Sequence, residues 1–176
     1  MKNEIRRHFP EQIKFPYELE QLCDWLSENG YPISGDFELL ADDGEFFFHW
    51  FGSHAADDKL ALFGSGPDGS LYAIWLQEDG RQPIVHLGSE GDNLKVLAFS
   101  MLEFIQLLSI GYSEIGHDDL SKPPKTTDGI NPKFQKWVKD IIQIEIPKIG
   151  NQIVQSAIDK HDNFNAWVAT VPSQDG

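Results

Sequence analysis

Between residues 36 and 101 the chain breaks into short apolar runs, each closed by turn-forming residues, and this spacing limits the folds open to it. The runs are Phe37–Ala41, Glu45–Phe51, Lys59–Phe63, Leu71–Leu76, Pro83–Leu87 and Leu94–Ala98. Between them stand Asp42-Asp43-Gly44, residues 64–69, Asp79-Gly80 and residues 88–92. Strand-length runs bounded by glycine and aspartate predict a β-meander. Connections this short cannot carry a crossover helix, so neighbouring strands should be antiparallel. Phe46, Phe47, Phe48, Trp50 and Phe51 are too apolar for clean alternation, which predicts a strand covered on both faces.

Helices flank the meander. Pro16 begins one over residues 17–29, Glu18 and Glu20 favour its positive end, and Gly30 stops it. Leu19, Leu22, Cys23 and Leu26 recur at helical spacing, with Trp25 at the edge of the stripe. Ser100 and Glu103 form a capping box for a second helix, whose apolar face holds Met101, Phe104, Ile105 and Leu108 and which Gly111 ends. Residues 121–130 read as linker chemistry. After them Asn131 and Pro132 open a third helix, with Phe134, Trp137, Val138, Ile141 and Ile142 as its stripe. Two more are expected, over residues 147–161 and around 164–167. The organisation is a single α+β domain. Residues 1–120 form a sheet core with flanking helices, 121–130 a linker, and 131–176 a helical extension packed on that core.

At 176 residues, with 40% apolar and 12% aromatic side chains, a core is sustainable without disulfides or metals. The lone Cys23 has no partner for an internal disulfide and reads as a small buried hydrophobe. The basic residues at the N-terminus have no apolar stretch behind them, and residues 96–110 are too short and too polar to cross a bilayer. A cytoplasmic chain without membrane attachment is the expectation.

Several catalytic and cofactor readings fail on context. Residues 64–69 match G-x-G-x-x-G, but a strand pattern follows where a dinucleotide fold needs a helix. His49 and His54 near Asp57 and Asp58, and His117 before Asp118 and Asp119, have no spacing that defines a coordination geometry. No G-x-S-x-G elbow occurs. The sequence therefore assigns no catalytic residue, cofactor or metal, and points to a binding protein.

Charge is the positive clue. The formal net charge is -14, and residues 15–130 hold 21 acidic but only five basic residues. That field disfavours direct nucleic-acid binding and suits a basic protein partner. Residues 36–58 contain seven acids and no lysine or arginine, with aromatic residues among them. Aromatic anchors ringed by charge build protein interfaces; a buried strand between two acidic loops would leave the same pattern. The candidate partner-binding residues are Asp42, Asp43, Glu45, Trp50, Asp57, Asp58, Glu90 and Asp92. Trp75 is assigned to the core.

The strand series also resembles the SUKH superfamily, which includes the Smi/Knr-type cell-wall regulators. The resemblance lies in Leu60-Ala61-Leu62-Phe63-Gly64, in Asp68-Gly69-Ser70 before the strand bearing Trp75, in Pro83-Ile84-Val85 leading to Leu87-Gly88-Ser89-Glu90-Gly91, and in Phe99-Ser100 entering a helix with Phe104. It spans residues 45–111; the tail, with Trp137, Pro147, Phe164 and Trp167, is similar to a bacterial subgroup. The resemblance implies an α+β domain with a mostly antiparallel sheet. It also implies an immunity protein that neutralises a cognate toxin, often a nuclease, by binding it. The alternative it implies is a regulatory scaffold without a toxin partner. It brings no catalytic residues.

Overall fold

The computed structural model describes residues 1–161 and 163–173, so the expected helical extension is covered except at 162 and 174–176. Its centre is a five-stranded sheet: β1 (Glu38–Leu39), β2 (Leu60–Ser65), β3 (Leu71–Trp75), β4 (Ile84–Leu87) and β5 (Lys95–Ala98). The strands lie side by side in chain order, and every neighbouring pair is antiparallel. Leu62 pairs with Ala73, Tyr72 with His86 and Ile84 with Ala98. The chain thus has the α+β architecture that its turn spacing predicts.

Among the described residues, seven α-helices accompany the sheet: α1 (Lys2–Arg7), α2 (Tyr17–Asn29), α3 (Phe46–Phe51), α4 (Met101–Leu108), α5 (Pro132–Trp137), α6 (Asn151–Lys160) and α7 (Phe164–Val168). One face of the sheet presents Ala61, Phe63, Tyr72, Ile74, Ile84 and Leu97 to α2 and α4. The other presents Leu60, Leu62, Ala73, Trp75, Val85 and Val96 to α3, α6 and α7. Two covered faces explain why β3 and β4 are buried throughout and show no polar alternation. On the first face Phe104 packs edge-on against Phe63 at 5.3 Å and Phe37 at 5.5 Å. On the second, Trp75 meets Phe164 at 5.1 Å and Trp167 at 5.4 Å.

Local chemistry sets the helix ends. Ser100 Oγ accepts from the Glu103 amide at 3.3 Å, and Glu103 reaches back to the Phe99 amide at 2.9 Å. Asn131 Oδ1 accepts from the amides of Lys133 and Phe134 and starts α5. At Gly64, beside an irregularity in the β2–β3 pairing, an added Cβ would lie 2.4 Å from the Phe37 ring. Only glycine lets that ring close over the strand.

Two segments depart from the sequence expectation. The run over residues 45–51 is helix α3 and not a strand. Asp42 and Asp43 each accept a hydrogen bond from the amide two residues on, which turns the chain, and Gly52 closes the helix at φ 70°. Phe47 and Phe51, four apart, are the buried pair. A run apolar at nearly every position carries no period, so strand and helix could not be told apart. After Trp137 the third expected helix widens into a π-helix, Val138–Ile142, ending at Gln143 with φ 61°. The wider turn breaks the expected stripe: Phe134 and Val138 stay buried, while Ile141 is 59% exposed. The run over residues 147–161 likewise becomes helical only from Asn151.

Residues 121–130 are tied to the body of the protein. The Gly35 amide donates to the Gly129 carbonyl at 2.9 Å, and the Tyr112 hydroxyl to the Lys122 carbonyl at 2.7 Å. Among the described residues, no helix is long and apolar enough to cross a membrane.

Candidate functional site

The acidic residues singled out above lie on the two loops that flank α3 and on the β4–β5 turn. Asp42, Asp43 and Glu45 precede α3. Burial of half-covered Asp42 pushes its carboxyl above the usual range, opposed by the amides of Gly44 and Phe46. Asp43 and Glu45 are exposed.

Trp50, on α3, is half-buried, and its indole Nε1 donates to the Gly88 carbonyl at 2.9 Å. That bond ties α3 to the β4–β5 turn, which carries the exposed Glu90 and Asp92. The turn is braced by the Gly88 amide on the Asp92 carbonyl at 2.9 Å. An added Cβ at Gly88 would lie 2.4 Å from that same carbonyl oxygen, so the turn admits no side chain there.

Asp57 and Asp58 follow α3, at its other end from Asp42 and Asp43. Asp57 Oδ2 meets His54 Nδ1 at 2.8 Å, and the His54 ring stacks on Phe48 at 4.8 Å. Asp58 is exposed. The fold therefore joins Trp50 to the Glu90 and Asp92 turn directly, and places the other two acidic loops at the two ends of the same short helix. Among the described residues, none of Asp42, Asp43, Glu45, Asp58, Glu90 and Asp92 forms an ion pair. Asp42, Asp43 and Asp92 accept hydrogen bonds from neighbouring amides, which leaves their negative charge in place. Chemically this is a one-signed surface able to attract and orient a cationic one.

A second group of charged side chains adjoins the same turn. His117 was read alongside Asp118 and Asp119, but the fold separates them. Asp118 accepts from the Glu114 amide at 3.0 Å and faces Lys125, while Asp119 pairs with Lys122 at 2.7 Å. The neighbours of His117 Nε2 are instead Asp68 Oδ2 at 3.1 Å and Glu114 Oε1 at 3.5 Å. Burial alone would raise the Asp68 carboxyl, but the donors of Ser70 and the nearby His117 outweigh it and hold the group at about 2. Burial raises Glu114; His117 opposes this, and adjacent Asp68 adds to it.

The turn between β4 and β5 connects the two groups. Asn93 Nδ2 donates to Asp92 Oδ2 at 2.9 Å and lies 3.1 Å from His117 Nδ1. Ser89 Oγ reaches Asp68 Oδ2 at 3.4 Å. Below them His86 is fully buried, its Nδ1 on the Asn93 carbonyl at 2.9 Å, its ring 5.2 Å from Tyr72 and 5.7 Å from His117. Burial pushes the His86 imidazole below its ordinary range, so it is neutral at pH 7 and donates from Nδ1. Asp68 lies in the β2–β3 turn and Glu114 in the loop after α4. The only sequence signal available was the Glu114–His117 spacing of three.

Comparison of the chain with protein-family models, with curated proteins and with solved structures finds no match.

Proposed function

We propose that this protein acts by binding, as a SUKH-like immunity protein whose acidic surface engages a basic protein toxin of the nuclease class and blocks it. The observation that carries the reading is the Trp50–Gly88 hydrogen bond, which gathers acidic segments distant in sequence around one short helix. Among the described residues Glu90 and Asp92, joined to α3 through Trp50 and Gly88, and Asp42, Asp43 and Glu45, which precede that aromatic helix, form no ion pair. Long-range attraction to a cationic partner then speeds encounter, and aromatic surface beside the charge supplies desolvated contact area. The net charge of -14 and the strand-series resemblance point the same way. Catalysis plays no part in the reading, and the protein works as a stoichiometric plug.

The test begins with the gene neighbourhood and a basic toxin encoded there. Co-expression of the chain should protect cells from that toxin, and the two should co-purify as a complex. Reversal of Asp57/Asp58 or Glu90/Asp92 to lysine should slow association and weaken protection while the fold persists, and so should Asp42→Asn/Asp43→Asn, which removes the charge but keeps the oxygens that accept the turn hydrogen bonds. Protection and association rate at wild-type levels in all three double variants would remove the acidic surface as the interface. A chain with no toxin beside it would instead favour the regulatory-scaffold reading.

A further inference from the structure

The Asp68, Glu114 and His117 side chains come from the β2–β3 turn and the loop after α4, and meet near the surface. Their ligand atoms all lie within 4.8 Å of one another. Tetrahedral zinc with bonds of about 2.0–2.1 Å sets adjacent donors roughly 3.3 Å apart. The two distances from His117 Nε2, 3.1 Å to Asp68 and 3.5 Å to Glu114, bracket that edge.

Two further observations point to a ligand. Glu114 Oε1 is shielded from solvent and accepts no hydrogen bond, its ion pair with His117 Nε2 at 3.5 Å being too long for one. Among the described residues both carboxylates form ion pairs only with His117, and a single ring faces two carboxylates. A divalent cation between them balances both charges.

We propose that Asp68, Glu114 and His117 form a binding site for one divalent transition-metal ion of the zinc class, with its fourth position open to water. One imidazole nitrogen and two carboxylate oxygens are a borderline donor set that suits zinc or cobalt better than magnesium or calcium. With Nε2 on the metal the His117 proton would sit on Nδ1, so the Asn93 amide, whose Nδ2 now lies 3.1 Å from Nδ1, would have to turn its oxygen to the ring and release Asp92, while Ser89 steadies Asp68. The ion would pin the β2–β3 turn to the loop after α4. Through Ser89 and Asn93 it would also stiffen the turn that presents Glu90 and Asp92. The site is independent of any protein partner, because the isolated chain suffices to bind the ion.

The experiment uses the full chain, stripped with chelator and titrated with zinc by calorimetry. One equivalent should bind with a Kd of about 1 μM or tighter, and the Tm should rise on loading. Glu114→Gln and His117→Gln, with folding checked by circular dichroism, should each weaken binding by more than about 10-fold, at least the loss seen when a supporting residue is removed. His54→Gln, at the separate exposed His54–Asp57 pair, should leave it unchanged. Cobalt added to the wild-type chain gives a readout that needs no variant: intense visible bands of a tetrahedral centre support the site. No saturable zinc binding, pale octahedral cobalt bands, binding retained in His117→Gln, or binding lost in His54→Gln would each overturn it.

Discussion

Trp50 on α3 donates its indole N–H to the carbonyl of Gly88 at 2.9 Å, and so joins the short aromatic helix to the turn between β4 and β5. The bond crosses from one connection of the meander to another. It fixes where Glu90 and Asp92 stand relative to the acidic residues before α3.

Trp50→Phe keeps most of the ring and removes the donor. The Gly88 carbonyl, in a buried residue, then loses its partner, so the variant should lose about 1–2 kcal/mol of stability in urea denaturation. Hydrogen exchange at the amides of residues 88–92 should quicken, while the amides of β3 keep their protection.

For the proposed partner, the Glu90→Lys/Asp92→Lys double variant should act first on the association rate. Steered pairs associate at up to about 10⁸ M⁻¹s⁻¹ or more at low salt, and the rate falls as salt rises. Stopped-flow mixing should show a slower rate and a shallower salt dependence, with the dissociation rate changed far less. An unchanged salt dependence would show that these two carboxylates do not face the partner.

Phe134 tests how firmly the C-terminal helices belong to the body. It is fully buried, 5.1 Å edge-on from Trp25 of α2 and stacked with Trp137 at 5.5 Å. Phe134→Ala should destabilise by about 3–5 kcal/mol, as for other buried aromatic truncations. Unfolding should remain one cooperative transition by fluorescence and circular dichroism alike. Two separated transitions would make the C-terminal helices an independent unit.

Cys23 offers a pH readout. It is fully buried on α2, and burial pushes its thiol up to about 11 from an ordinary 9.0. The folded pKa is raised, so this contribution to stability is complete below pH 9. It declines between about pH 9 and 11, where the unfolded chain ionises and the folded one does not. Cys23→Ala should flatten the alkaline limb of the stability–pH curve. Iodoacetamide should alkylate the native thiol far more slowly than the denatured one.

Much of the architecture was legible because local chemistry determined it. The 17–29 helix stands at the predicted bounds, since Pro16 and Gly30 stop it whatever packs against it. The capping box at Ser100 and Glu103 forms through neighbouring backbone donors. The strand order follows from turns too short for a crossover, and the antiparallel sheet runs in sequence from β1 to β5. Where the sequence carried no period, packing had to choose. Residues 46–51 are apolar nearly throughout and coil because Asp42 and Asp43 turn the chain and Phe47 and Phe51 fit the second face of the sheet. Ile141 leaves the core because a π-turn shifts the helical phase after Trp137.

The same division runs through the candidate sites. Composition alone shows that residues 36–58 carry seven acids and no lysine or arginine, a property of the string that survives any fold. That Trp50 binds Gly88, and so places Glu90 and Asp92 beside the aromatic helix, belongs to the tertiary structure. The Asp68, Glu114 and His117 cluster belongs to it entirely. His117 stands next to Asp118 and Asp119 in the chain, yet those carboxylates turn to Lys125 and Lys122. Asp68 arrives from a distant turn, because sheet register and the loop after α4 set which side chains meet.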